Sequence, residues 1–260
     1  MERTDYARIA DRYDDNADRL RIADDLTLAA LVALPRTRPV RALDLGCGTG
    51  NYLVHHAKLG AHVEFVGIDR SPDMLARAKA KLEGSTIELC EGSAEALPFD
   101  AGRFDYVTTH FAFHHFEDKP KALDEIARVL APGGTLRCVN IVPSRMRDWW
   151  LYTVFPGALV LDLERFWLPE ILEHQLEKRE FVVETAIEAR RSRTYLSACL
   201  PDVERREISE LAILKDAEYQ RGLRTLRQMV ADDPSTSVRS ELTMMTMVAR
   251  RISRESHPSW

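Results

Sequence analysis

Val40-Arg41-Ala42-Leu43-Asp44-Leu45 runs straight into Gly46-Cys47-Gly48-Thr49-Gly50. An apolar strand thus ends in a carboxylate and then in glycines on alternate positions. Glycine lacks a Cβ, so such a loop turns tightly and lets a ligand approach bare backbone. Asn51-Tyr52-Leu53-Val54-His55-His56 then starts a helix whose first N–H groups face the loop. Strand, glycine loop and helix together predict a nucleotide-type site at the carboxyl end of a parallel strand. The spacing is GxGxG rather than GxGxxG, and no GK[ST] follows, so neither a pyrophosphate nor a triphosphate cradle is indicated. The expected ligand is a nucleoside without phosphates.

A second carboxylate agrees. Val63-Glu64-Phe65-Val66-Gly67-Ile68-Asp69 is a short β-type run ending in Asp69. An acid about 20 residues past the last glycine of a βαβ unit is placed to accept hydrogen bonds from both ribose hydroxyls. Ser71 and Pro72 then read as N-cap and first residue of a helix. Strands are expected at 40–45, 63–68, 86–90, 104–109 and 135–142, with helices near 51–59, 72–82 and 119–130. That alternation predicts a parallel sheet with helices on both faces. Residues 1–34 carry helical spacing (Ile9, Tyr13, Leu20, Ile22, Leu26, Leu31) and precede the proline-punctuated linker 35–39. Past Pro143 come an aromatic stretch (Trp149, Trp150, Tyr152, Phe155) and an amphipathic helix from Leu163 to Lys178. A strand at 181–187, one or two helices over Val203–Val230, and a last strand at 241–250 complete the chain.

Composition narrows the function class. With 260 residues, 30% charged and 45% hydrophobic, the chain suits one α/β domain with a lid. Net charge is −5 and no Lys/Arg run stands apart, which disfavours a nucleic-acid partner. Four scattered cysteines contain no CxxC pair, so neither a disulfide framework nor a metal site is expected. Cys47 fills a place in the glycine loop that needs a small side chain. The N-terminus lacks the apolar core of a secretory signal, and the apolar run from Trp149 to Val160 is too short to span a bilayer. A cytoplasmic location without stable membrane insertion is therefore expected. A homodimer is compatible with the sequence but not required by it.

Four ordered segments carry a family resemblance. Leu43 to Gly50 resembles motif I of the class I S-adenosylmethionine-dependent methyltransferases, and Gly67-Ile68-Asp69-Arg70-Ser71-Pro72-Asp73-Met74 resembles their second motif. Gly92-Ser93-Ala94-Glu95-Ala96-Leu97-Pro98-Phe99 is similar to the loop that holds adenine. Phe104 to Val107, His114-His115-Phe116 and Ala127 to Gly134 complete the pattern. The similarity is greatest to the type 11 branch, which includes the ubiquinone/menaquinone C-methyltransferases, and is close over 40–142. It implies a Rossmann-like doubly wound α/β fold. The sheet would have seven strands, mostly parallel with one antiparallel edge strand, its last two strands forming a hairpin at that edge, and would carry a helical lid. The implied divisions are an N-terminal helical cap (1–39), a cofactor core (40–142), a variable substrate lid (143–180), completion of the sheet with a helical insert (181–252), and a tail (253–260).

The resemblance also implies residue roles. Gly46, Cys47 and Gly48 would lie along the methionine part of S-adenosylmethionine, with Asp44 ordering that loop. Asp69 would take the ribose, Arg70 and Met74 would flank the adenine, and Gly92, Ser93 and Ala94 would border its edge. Many relatives carry Asp where this chain has Ser93. A neutral acceptor is weaker than a charged one, so Ser93→Asp is expected to tighten cofactor binding. Tyr13 is expected as a lid residue near the methionine moiety, or as plain packing. His110 and His115, at the end of the fourth strand, are the candidate bases, since histidine titrates near neutral pH; His110 is also a candidate cofactor contact. The aromatic stretch at 149–155 either roofs an apolar acceptor pocket or packs a variable insert. Together these imply methyl transfer to a small-molecule acceptor, hydrophobic or aromatic, yielding S-adenosylhomocysteine. The alternative is a non-catalytic protein of the same fold that binds either nucleoside as a sensor or subunit. A nicotinamide oxidoreductase is disfavoured by the glycine spacing. Carbon, nitrogen and oxygen acceptors remain open.

Overall fold

The structure, a computed structural model, describes residues 10–15, 20 and 22–253. The helical reading at Ile9 and the tail from Arg254 to Trp260 lie outside them. The strands are β1 (Val40–Leu45), β2 (Val63–Asp69), β3 (Glu88–Glu91), β4 (Phe104–His110), β5 (Leu130–Ile141), β6 (Phe181–Tyr195) and β7 (Ser237–Arg251). They form one seven-stranded sheet in the order β3-β2-β1-β4-β5-β7-β6. The first five run parallel, whereas β7 is antiparallel to both of its neighbours, so the antiparallel strand lies in the edge hairpin. The strand order reverses between β1 and β4. That switch point opens a crevice at the carboxyl ends of the strands.

Local chemistry sets the helices that frame this crevice. Helix α1 (Leu26–Ala33) starts at Asp25, whose carboxylate accepts the Leu28 N–H at 3.0 Å. Helix α2 (Asn51–His56) leaves Gly50, which holds φ +79° as its N-cap. It is shorter than the expected 51–59, because a 3₁₀ turn over Ala57–His62 follows, with Gly60 in non-helical backbone. Helix α3 (Pro72–Lys81) is capped by Ser71, and α4 (Lys119–Val129) by Asp118. Leu28, Tyr52, Leu53, Phe65 and Tyr106 pack one face of the sheet under α1 and α2. Leu43, Ile68, Val107, Leu123, Ile126 and Leu136 pack the other under α4.

Past β5 the expectations need correction. The helix expected from Leu163 to Lys178 is two helices, α6 (Pro156–Arg165) and α7 (Pro169–Glu177). Pro169 drives Leu168 into extended backbone (φ −61°, ψ 144°), which no α-helix continues through. Val203–Val230 holds parts of α8 (Leu196–Glu204), α9 (Ser209–Ile213) and α10 (Asp216–Asp232). Strand β6 extends to Tyr195 and β7 begins at Ser237, well beyond the expected limits. Only Met244–Arg250 of β7 pairs with β5; the rest of the hairpin is a two-stranded ribbon. Its β6 half is exposed on both faces over 188–193 and so lacks the apolar alternation that marks a strand in sequence, while Val238 and Leu242 of its β7 half pack against the helical core. Helix α5 (Trp150–Val154) and α6 share one apolar core with α8, α9 and α10, built from Met146, Leu151, Phe155, Leu211, Leu223 and Leu226 among others. Trp150, Tyr152 and Phe155 are buried within that core, as the packing alternative for the aromatic stretch requires.

Candidate functional site

The glycine loop is built around three left-handed residues, Gly46, Gly48 and Gly50. The Gly46 and Cys47 N–H groups both donate to the Ile68 carbonyl (2.8 and 3.0 Å), which lashes the loop to the end of β2. A Cβ on Gly46 would sit 2.5 Å from the Ala112 methyl, whereas one on Gly48 would meet nothing within 4 Å. Gly46 thus serves close packing, and Gly48 faces open space. Cys47 is buried, and burial together with the Asp44 charge pushes its thiol pKa well up. The side chain is an inert filler.

Two carboxylates flank the loop. Asp69 accepts the Gly48 N–H at 2.8 Å on one oxygen and the Ser71 N–H at 2.9 Å on the other. It therefore ties the loop to the start of α3. Each oxygen keeps a further lone pair for a ligand hydroxyl. Burial raises its pKa, and the two N–H bonds pull it part of the way back. Asp44 is 2% exposed, and its Oδ2 has no hydrogen-bond partner. Burial, reinforced by the Asp69 charge, pushes its pKa to about 8. The expectation that Asp44 orders the loop finds no hydrogen bond at that oxygen. An orphaned buried carboxylate oxygen beside a glycine that faces open space suits a ligand carrying a cation. The residues therefore fit an adenosyl amino-acid ligand.

The remaining predicted contacts distribute unevenly. Met74 is buried on α3, and Gly92 donates its N–H to the Asp69 carbonyl at 3.0 Å. Arg70 is exposed and pairs with Glu117 at 2.8 Å. Ala94 is buried. Ser93 donates its hydroxyl to Glu95, a residue the sequence reading passed over. Glu95 also accepts the Glu117 N–H at 2.8 Å, joining the loop after β3 to the segment before α4. Tyr13 sits half-buried on a 3₁₀ turn over Ala10–Asp15. Its neighbour Asp14, also missed, accepts from Thr49 and Asn51 at 2.9 Å each and pairs with Lys81 at 2.5 Å. Burial pushes against ionisation of Asp14, but these bonds hold its pKa below the usual carboxylate range. The N-terminal segment is therefore pinned directly on the glycine loop.

The histidines sit in buried surroundings rich in positive charge. His115 is half-buried, and burial plus the Arg165 charge lower its pKa to about 3. His110 is lowered to about 3 as well, by burial and then by Arg137. His114 is buried, stacks on Phe166 at 4.0 Å between ring centres, and is held well below the imidazole range by burial and then by the neighbouring His115. Neither candidate base is poised to take a proton near neutral pH. Phe111 leads out of the strand tip with φ +50° and an exposed ring, a strained conformation for a bulky residue.

Behind His110 lies a buried polar network. Arg137, from β5, donates to His110 Nε2 at 2.5 Å and approaches Asp25 at 3.5 Å. Asp25 also accepts from Tyr52 at 2.7 Å and from Tyr106 at 2.5 Å, and its N–H donates to His56 Nε2 at 3.1 Å. An arginine within the apolar run Leu136-Arg137-Cys138-Val139 was the available signal, since a buried cation requires a partner. Ligating atoms of Asp24, His55 and His56 lie within 4.8 Å of one another. His56, however, uses both ring nitrogens, on the Asp25 N–H and the Tyr52 carbonyl, so this trio is no ready cation site.

Glycine loop, paired carboxylates and switch-point position define a Rossmann-like α/β fold with a candidate ligand crevice at the carboxyl ends of its strands. Residues 43–138 match the family model described as a methyltransferase domain. Over 143 residues the chain is 41% identical to a demethylmenaquinone methyltransferase of Thermus thermophilus, covering 53% of this chain and 64% of that one. It is 38% identical over 143 residues to the protein of the same name from Deinococcus radiodurans, covering 53% and 59%. The match thus spans less than two thirds of either relative's length. Among solved structures, YcgJ of Bacillus subtilis superposes with a TM-score of 0.61 at 18% identity, covering 88% of this chain and 99% of that one. Phosphoethanolamine N-methyltransferase 2 of Haemonchus contortus, solved with S-adenosylmethionine, gives 0.54 at 19% identity, covering 88% and 52%. At such identities the likeness is one of fold.

Proposed function

We propose that this protein transfers the methyl group of S-adenosylmethionine to a small, quinone-like acceptor. The observation that carries the proposal is the unpartnered Asp44 carboxylate beside Gly48, whose bare Cα faces open space. The names of the sequence relatives support the acceptor class. When bound, S-adenosylmethionine supplies an electrophilic methyl on a sulfonium. In this reading Asp69 accepts the ribose hydroxyls, Asp44 meets the ammonium, and Met74 and Ala94 border the adenine. Ser93 keeps only its oxygen lone pairs for that ligand, because its proton points at Glu95. Aligning acceptor and methyl supplies roughly 7–11 kcal/mol of barrier lowering. A general base adds a factor of about 10²–10⁴, some 3–5 kcal/mol. Weakly basic histidines are therefore compatible with transfer. A cytoplasmic location and any pairing into a homodimer belong to the same proposal.

The test has two stages. Calorimetry with S-adenosylhomocysteine should show binding, and Asp69→Ala should weaken it by at least about tenfold, the value of a charged hydrogen bond. Incubation with methyl-labelled S-adenosylmethionine and a demethylated naphthoquinol should then move label into the quinol. Affinity for neither nucleoside would end the proposal. Binding without turnover on any quinol would favour the sensor or subunit alternative.

A further inference from the structure

Strand alternation puts Asp44, Tyr106, Thr108, His110 and Arg137 on one face of the sheet. Asp44 pairs with Thr108 across β1 and β4, and His110 lies two residues further along. By strand geometry the α-carbons of Asp44 and His110 are therefore about 8 Å apart. Each carries one buried polar atom without a partner, Oδ2 of Asp44 and Nδ1 of His110.

The state of that Nδ1 follows from its neighbours. A guanidinium has donors and no acceptor, so Arg137 can only donate to His110 Nε2. Nε2 is then the unprotonated nitrogen, and a neutral ring carries its hydrogen on Nδ1. Arg137 is held in turn by Asp25, whose side chain is fully buried and anchored by Tyr52, Tyr106 and the Leu28 N–H. The groups facing His110 are Arg137 from β5, Asp25 at the start of α1, Tyr52 and His56 from α2, and Tyr106 below it on β4. A further positive charge on the ring would oppose Arg137. An unpaired N–H donor one strand over from an unpaired carboxylate oxygen is complementary to a zwitterion, with its carboxylate on the donor and its ammonium on the acid.

We propose that His110 is a hydrogen-bond donor rather than a base: Arg137, anchored by Asp25, fixes its Nδ1–H tautomer, and that N–H holds the carboxylate of a ligand's amino-acid end while Asp44 holds the ammonium. Arg137 is a positioning residue in this assignment. The carboxylate assignment rests on the function proposed above; the tautomer does not.

Two measurements decide it. Nitrogen NMR of the full chain should show His110 protonated on Nδ1 and unprotonated on Nε2, unchanged from pH 5.5 to 8. In Arg137→Met the ring should lose that fixed tautomer and begin to titrate. An Nε2–H ring in the unmodified protein would overturn the assignment. Binding of S-adenosylhomocysteine is then compared with binding of 5′-methylthioadenosine, which lacks the amino-acid group. His110→Phe should weaken the first by about tenfold, the loss of a hydrogen bond to a charged group, and leave the second unchanged. Equal weakening of both, or of neither, would overturn the carboxylate contact. Because Arg137→Met strips Asp25 of its cation and is at risk of not folding, His110→Phe and the unmodified protein carry the test. If the unmodified protein binds neither nucleoside, the proposed function fails and the carboxylate contact with it. The NMR result still decides the tautomer.

Discussion

In the proposed function, Asp44 and Ser93 are the side chains whose local chemistry bears most directly on ligand affinity. The pKa of Asp44 in the folded protein, about 8, exceeds the ordinary 3.8 because the carboxyl is buried and faces the Asp69 charge. The folded state therefore prefers the proton. Ionising Asp44 costs stability progressively as pH rises from about 4 to 8. An ammonium partner requires the carboxylate form, so ligand capture should release a proton at pH values below 8. S-adenosylhomocysteine affinity is expected to climb with pH and level off above about 8. Calorimetry in buffers of different ionisation enthalpy checks the release, and Asp44→Asn should abolish both the slope and the release. Ser93 reverses its sequence-based expectation. Ser93→Asp would set a second carboxylate against Glu95, which now accepts the serine proton, and like charges in contact repel. Weaker nucleoside binding is the expected result, recovered in the Ser93→Asp/Glu95→Gln double variant. A tighter single variant would show that Glu95 yields its place.

At the scale of elements, the approach of α10 to α5 is the most exacting contact in the helical layer. A Cβ on Gly222 would lie 2.3 Å from two ring atoms of Phe155, itself 1% exposed. Gly222→Ala gains nearly 1 kcal/mol of helix propensity, yet it overpacks a full core at a cost of about 1–3 kcal/mol. A net loss is expected, read as a lower thermal midpoint, while nucleoside binding at the distant loop persists. The elements also show where sequence is informative. Strand β1 was legible to the residue, because it is buried on both faces and bounded by Pro39 and Gly46. Helix α3 declared itself through Ser71 and Pro72. The ribbon half of β6 gave no such signal, since Glu188-Ala189-Arg190-Arg191-Ser192-Arg193 has solvent on both sides and no apolar period to display. The Asp25-Arg137-His110 network was equally hidden. Its members lie as far apart as residues 25 and 137, and no local pattern links them. Asp14 on Thr49 was hidden for the same reason.

For the whole molecule, a cluster at the opposite end of the sheet from the glycine loop fastens the N-terminal linker to the core. Arg38 grips Asp105 with two donors at 2.6 and 2.8 Å, and the Arg41 N–H adds a third at 3.0 Å. Burial works against the charge, but these donors hold the Asp105 pKa below the ordinary 3.8. Its stabilisation is present above that value and fades as pH falls through the lower folded-state one. Asp105→Asn should cost about 1–2 kcal/mol at neutral pH, allowing for solvent screening of the half-exposed Arg38. The difference from the unmodified protein should shrink in acid; denaturant titrations at two pH values measure it. The ribbon carries a different consequence. Tyr195 and Ser237 face each other as paired residues at its tip, and the three helices α8, α9 and α10 are spliced between them. Strands that are already adjacent can be joined by a tight turn or by a large excursion without altering the order of the sheet. Evolution can thus exchange this three-helix cassette while the order of the sheet and the glycine loop at its switch point are inherited intact.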